Sequence, residues 1–202
     1  MSTPQFVQID LSHIEPDRTP CFWSESIHKV ISSGSPIRLI FLDVDGVLNT
    51  VNETLATSIS SECLSRFCQL VVRTNSHIVI SSTWRKHKPF MAKLMSSLKR
   101  FDCDGRVIGK TEQIAAFERP REIMKWLRDA KAKYGMVVEN WLAVDDMPLE
   151  DMSPGTMGGH CCLTTIERGF EAVHLRTAEQ TIMKGRNSVT TVTPADSDDD
   201  QE

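Results

Sequence analysis

Short unbroken apolar runs take turns along this chain with segments whose apolar residues recur every three or four positions. Arg38-Leu39-Ile40-Phe41-Leu42 is too short for a helix and reads as a strand covered on both faces. His77-Ile78-Val79-Ile80 and Trp141-Leu142-Ala143-Val144 repeat that pattern, and Cys161-Cys162-Leu163 is a shorter fourth run. Between them, Leu64, Phe67, Cys68, Val71 and Val72 predict an amphipathic helix over about 58–73. Phe90, Met91, Leu94, Met95 and Leu98 stripe a second helix, and Ile123, Trp126, Leu127, Ala130 and Tyr134 a third, which Gly135 ends. Strand alternating with helix requires crossover connections. The expected fold is therefore α/β, a Rossmann-like parallel sheet with helices on both faces.

The 202 residues suit one domain with tails. Residues 1–36, which close on Ser32-Ser33-Gly34-Ser35-Pro36, read as an irregular N-terminal arm. Residues 37–183 read as the folded domain and 184–202 as a disordered acidic tail, whose last seven residues carry five acids and no base. No stretch approaches the roughly 18 apolar residues of a membrane helix, and Met1–Asp10 lacks the basic start and apolar run of a secretory signal. The expected setting is the cytoplasm or nucleus, with no membrane partner. The six cysteines include no C-x-x-C pair, so they read as reduced, buried small hydrophobes rather than as a zinc site. The net charge of −4 conceals a basic centre: Arg85–Lys133 holds fourteen basic and six acidic side chains. Such a stretch either attracts a polyanion or forms the solvated faces of two helices.

Ligands of such sheets bind beyond the carboxyl ends of the strands. There the first strand delivers Asp43-Val44-Asp45-Gly46, the second Ser81-Ser82-Thr83-Trp84-Arg85, and the third Asp145-Asp146. Any one of these ends alone is an ordinary turn or helix cap. Together, at one rim, they read as a site. Carboxylates so gathered repel one another unless a cation neutralises them, and an all-oxygen donor set suits a hard divalent ion, most naturally Mg2+. That ion would clamp a phosphate oxygen. Asp43 and Asp45 could then flank a phosphoryl group, one attacking phosphorus and the other protonating the leaving oxygen. Two rival motifs fail on spacing. Asp43-x-Asp45-Gly46 places its glycine fourth, after a strand, where a calcium loop needs it sixth, after a helix. Gly105–Thr111 has three residues between its glycines where a P-loop needs four.

The run Asp43-Val44-Asp45-Gly46-Val47-Leu48-Asn49 resembles the first motif of the haloacid dehalogenase (HAD) superfamily phosphatases, Ser81 their second, and Val144-Asp145-Asp146 their fourth. More narrowly, Ser81–Arg85, Arg119-x-x-Glu122-Ile123-x-x-Trp126-Leu127 and Trp141–Asp146 resemble the HAD domain found in Swiss-army-knife RNA repair proteins, over roughly residues 37–180. The resemblance implies that Asp43 is the nucleophile, forming an aspartyl-phosphate, and also a metal ligand. It implies that Asp45 is the general acid and base, with its backbone carbonyl on the metal. Ser81, with Ser82 beside it, would bind the phosphoryl group, and Asp146 would hold the metal with Asp145 supporting it or sharing the role. The third-motif cation would be Arg119, with Arg121 a near rival and Lys110 a further candidate.

Only about a dozen residues separate Gly46 from the helix expected near Ser58, enough for a flap but not for a capping domain. The expected activity is thus that of a capless, Mg2+-dependent phosphomonoester hydrolase acting on a phosphorylated macromolecule such as an RNA or DNA end. Two alternatives stand beside it. One is a phosphoprotein or nucleotide phosphatase with the same residues, the other a catalytically silent HAD-derived binding module. The intact Asp43, Asp45 and Asp146 set argues for turnover.

Overall fold

The computed structural model describes residues 24–32, 34–51 and 58–184. Its central strand is β1 (Ile37–Leu42), every residue of which is buried. Alternate side chains serve opposite faces: Ile37, Leu39 and Phe41 join one apolar cluster, Ile40 and Leu42 the other. Fully burying a side chain of this kind contributes about 1.5–3 kcal/mol, so the run can only lie inside a covered sheet. The remaining strands are β2 (Ser76–Ile80), β3 (Val107–Lys110), β4 (Val138–Asp145) and β5 (Cys161–Leu163). They form one parallel sheet in the order β3-β2-β1-β4-β5. The expected Rossmann-like α/β architecture is the one observed.

Helices α2 (Ser61–Arg73), α3 (Lys88–Lys99) and α7 (Ala172–Met183) cover one face through Leu64, Phe67, Leu94, Leu98, Leu175 and Ile182. Helix α4 (Arg119–Tyr134) covers the other with α1 (Ser24–Ser32) and the short α5 (Leu149–Met152) and α6 (Pro154–Met157). On that side Phe41 packs edge-on against Trp126 and Trp141, with ring centroids 5.6 and 5.9 Å apart. Ser60 caps α2, its hydroxyl accepting from the Cys63 amide. Gly135 ends α4 as expected, at φ +62°, a left-handed conformation in which side-chain-bearing residues are strained. No disulfide joins the five cysteines among the described residues.

One expectation needs correcting. Residues 24–32, read as part of an irregular arm, form α1, because Val30 and the partly buried Ile31 seat a short helix on the α4-side cluster beside Ile37. Residues 1–23 of that arm, Cys21 among them, and residues 185–202 of the acidic tail lie outside the described residues. The extended piece expected at 106–108 is β3, which starts one residue later and runs to Lys110. Among the described residues, no helix is long and apolar enough to cross a membrane.

Candidate active site at the carboxyl rim of the sheet

Four neighbouring strands end on the same rung. The amide of Asp43 donates to the Val144 carbonyl at 3.0 Å, that of Ser81 to Leu42 at 2.9 Å, and that of Thr111 to Ile80 at 2.9 Å. The ladder therefore carries one residue beyond Leu42, Ile80 and Lys110. Residues abreast in a parallel sheet share a face, so Asp145, Asp43, Ser81 and Thr111 form one transverse row. It lies on the face covered by α4, two residues beyond Ala143, Phe41 and Val79. All four are buried, none more than 5% exposed.

Helix α4 brings a cation to this row. Arg119, buried at its first turn, places Nη1 2.5 Å from Asp145 Oδ2 and 3.5 Å from Asp43 Oδ1. One turn on, Glu122 Oε2 lies 3.8 Å from Arg119 Nε and accepts from Arg85 Nη2 at 2.7 Å. Its other oxygen accepts from the Ile114 amide at 3.1 Å. Arg85 Nη1 donates to the Ser81 carbonyl and, at 2.6 Å, to that of Ser82. Buried ion pairs add little net stability, but removing one partner strands a charge. The lattice therefore acts chiefly by holding Arg119 and the strand end at Ser81 in place.

Its electrostatics follow from that crowding. Burial pulls the Arg119 guanidinium toward releasing its proton, but Asp43, Asp145 and Glu122 outweigh it and raise its pKa. Burial lowers that of Arg85, against the pull of Glu122. Burial, then the charge of Asp43, push the Asp145 carboxyl up to about 7, although Arg119 draws it down. The same two causes raise Asp146. Asp43, Asp145 and Asp146 each offer an oxygen, all within 4.8 Å of one another. A hard cation ligated by oxygen suits this donor set and would relieve its repulsion. The two carboxylates at 43 and 146, expected to grip one ion, are near enough to do so.

The turn after β1 makes that approach possible. Gly46 sits at φ +70°, and a Cβ built there would fall 2.3 Å from Asp146 Oδ2 and 2.6 Å from Asp146 Cβ. Its carbonyl accepts from the buried Thr164 hydroxyl, just past β5, at 2.8 Å. Asp45 turns the other way and is half-buried. The indole Nε1 of Trp84 donates to both of its oxygens at 3.0 Å, and Asn49 Nδ2 donates to one at 2.9 Å. The Asp45 carboxylate is not one of the three that cluster.

The two serines part company. The Ser82 hydroxyl accepts from the Trp84 amide at 3.3 Å and caps the turn Thr83–Lys86. The Ser81 hydroxyl, also buried, has no hydrogen-bond partner. Arg121 is 70% exposed and pairs with Glu118 at 3.1 Å, while Arg119 reaches Asp43. Lys110 is half-buried at the end of β3. Of the residues expected to bind phosphate, Ser82 caps that turn and Arg121 pairs with Glu118 at the surface. Sequence reasoning missed Trp84 as the partner of Asp45, and with it Asn49, Arg85, Glu122 and Thr164. The i,i+3 spacing of Arg119 and Glu122, which sets both on one helix face, was the available signal for Glu122.

The family model for the HAD domain in Swiss Army Knife RNA repair proteins matches residues 39–175, more than half of the chain. The chain belongs to this family. Comparisons with curated proteins and with solved structures return no match. The matched span of the HAD domain begins inside β1 and ends inside α7, so it contains every residue of the rim described above. Membership points to a phosphatase-type hydrolase, and the buried aspartate cluster is of the kind that holds a metal ion.

Proposed function

We propose that this HAD domain is a Mg2+-dependent phosphomonoester hydrolase acting through Asp43. The observation that carries the reading is the gathering of Asp43, Asp145 and Asp146 within 4.8 Å, with Arg119 3.5 Å from Asp43. An Asp43 oxygen attacks phosphorus, the ester P–O bond breaks, and Asp45 gives its proton to the departing alcohol oxygen. Asp45 then takes a proton from water as that water attacks the aspartyl-phosphate, which releases inorganic phosphate and restores Asp43. Trp84 and Asn49 aim the Asp45 carboxylate for both steps. The Ser81 hydroxyl and the Arg119 guanidinium hold the non-bridging oxygens. Asp43, Asp146 and the Asp45 carbonyl would ligate Mg2+, with Asp145 supporting them, and the ion would neutralise phosphate charge.

The substrate we favour is a phosphorylated RNA or DNA end. The family context supports it, and so does the open rim, since among the described residues no inserted unit overhangs it. Of the basic central stretch, Arg85 and Arg119 are consumed inside the site, whereas Lys86, Lys88, Lys93, Lys99 and Arg100 stay exposed on and around α3. They could attract a polyanion. Residues 37–183 would form the catalytic unit, working in the cytoplasm or nucleus.

The test is phosphate release from phosphorylated oligonucleotides, phosphopeptides, nucleotides and sugar phosphates, with and without Mg2+. We expect release from the oligonucleotides that needs Mg2+ and falls at least about a thousandfold in Asp43→Asn. Release from peptides or nucleotides alone would keep the chemistry and change the substrate. No Mg2+-dependent release from anything would leave a silent binding module.

A further inference from the structure

Thr111 ends the transverse row, and nothing described so far uses it. Among the described residues, three buried side-chain atoms lack a hydrogen-bond partner: His77 Nδ1, Ser81 Oγ and Thr111 Oγ1. His77 lies near the start of β2, at the amino end of the sheet and away from the rim. The other two are neighbours on adjacent strands, joined through the Thr111 amide on the Ile80 carbonyl, with side chains on the same face. Neighbouring parallel strands run about 4.8 Å apart, a gap that one tetrahedral oxyanion can bridge with two of its oxygens. A threonine here for packing alone would be served as well by valine, since a buried hydroxyl without a partner costs stability. Two such hydroxyls side by side, next to the carboxylate of Asp43, mark a place where a ligand supplies the missing acceptors.

We propose that Thr111 is a substrate-binding residue whose hydroxyl, together with that of Ser81, forms a two-donor cradle for the phosphoryl group. This rests on the phosphatase reading of Asp43 and Ser81. The cradle widens the oxyanion site from β1 and β2 onto β3, which no carboxylate occupies, so the anion is gripped on the side away from Asp145.

Affinity for inorganic phosphate in Mg2+, read by calorimetry and by thermal shift, tests the cradle in Thr111→Val, Thr111→Ser and Ser81→Ala. Thr111→Val should weaken phosphate binding about tenfold or more, the scale of a hydrogen bond to a charged group. It should raise KM for p-nitrophenyl phosphate in parallel while kcat changes little. Thr111→Ser should restore both, and Thr111→Val without ligand should melt no lower than the parent. Unchanged phosphate affinity in Thr111→Val, with loss in Ser81→Ala, would make Thr111 a packing residue and leave the phosphatase reading intact. Unchanged affinity in both would remove the phosphate site itself. A lower melting point for unliganded Thr111→Val would show that its hydroxyl has a structural partner, and would equally overturn the inference.

Discussion

Replacing Gly46 with alanine tests the site through a single methyl group. The added Cβ would stand 2.5 Å from Asp146 Cγ and 2.6 Å from Asp146 Cβ. A rotamer change could carry the carboxylate away, but the Cβ of Asp146 is fixed to its own backbone. Either the turn after β1 or the end of β4 must therefore retreat, by the better part of an ångström. At φ +70° the alanine also sits in the left-handed region, which costs roughly 1–2 kcal/mol for a residue with a side chain. In a domain of this size that alone lowers Tm by about 2–8 °C. The catalytic penalty is larger, because a misplacement near 1 Å can cost about a hundredfold in rate. Gly46→Ala should thus retain a cooperative melt a few degrees below the parent. It should lose most of its Mg2+-induced thermal shift and drop kcat at least about a hundredfold. The assay is a melting curve with and without Mg2+ beside steady-state phosphate release. A variant with parental Tm, Mg2+ response and turnover would refute the close approach of Gly46 to Asp146 and the role given to that carboxylate.

Trp84→Phe keeps the buried ring but removes the donor to both Asp45 oxygens, so kcat should fall about tenfold with KM little changed, as steady-state kinetics would report. Glu122→Ala strands Arg85 and frees the Ile114 amide, and chemical denaturation should show a loss of about 3–5 kcal/mol. The His174 imidazole, whose Nδ1 accepts from the Glu171 amide at 3.0 Å, caps α7 in its neutral form. Burial lowers its pKa below the unfolded value, so the native state resists protonation. The cap's contribution is then complete above about pH 6.5 and drains away as pH falls below it. His174→Gln should flatten the decline in stability between pH 7 and 5, and an unaltered slope would exclude this cap as its source.

The fold was legible where burial dictates the residue type. β1, β2 and β4 each carry an unbroken apolar run, Leu39–Leu42, Ile78–Ile80 and Trp141–Val144, because both faces of the sheet are covered there, and that pattern survives without tertiary information. α1 escaped notice because its nine residues lie beside Ser33, Gly34, Ser35 and Pro36, and only docking against Ile37 stabilises so short a helix. α7 is equally faint in the sequence: its buried residues, Leu175, Ala178 and Ile182, make too thin a stripe. At the site, the carboxylates showed themselves because they follow strands directly. The partners that orient them did not. Trp84 meets Asp45 across 39 residues and Arg85 meets Glu122 across 37, and nothing local announces such a pairing. A buried tryptophan reads as packing, which Trp84 is, until the direction of its N–H is known. Ser81 and Ser82 look alike in sequence, and only the geometry of the following turn decides which hydroxyl is spent on a cap.

The insertion of β4 beside β1 has a consequence for the life of the chain on the ribosome. Leu42 pairs with Val144, and the Thr164 hydroxyl fastens the Gly46 carbonyl across 118 residues. Asp43, the nucleophile we propose, is translated well before β4, yet its electrostatic surroundings are completed only once Asp145 and Asp146 have followed. Such long-range closure is slow. On the proposed chemistry, a nascent chain would carry Asp43 in an inert state until β4 has emerged, and a truncated product ending before β4 would be harmless to any phosphate ester it met.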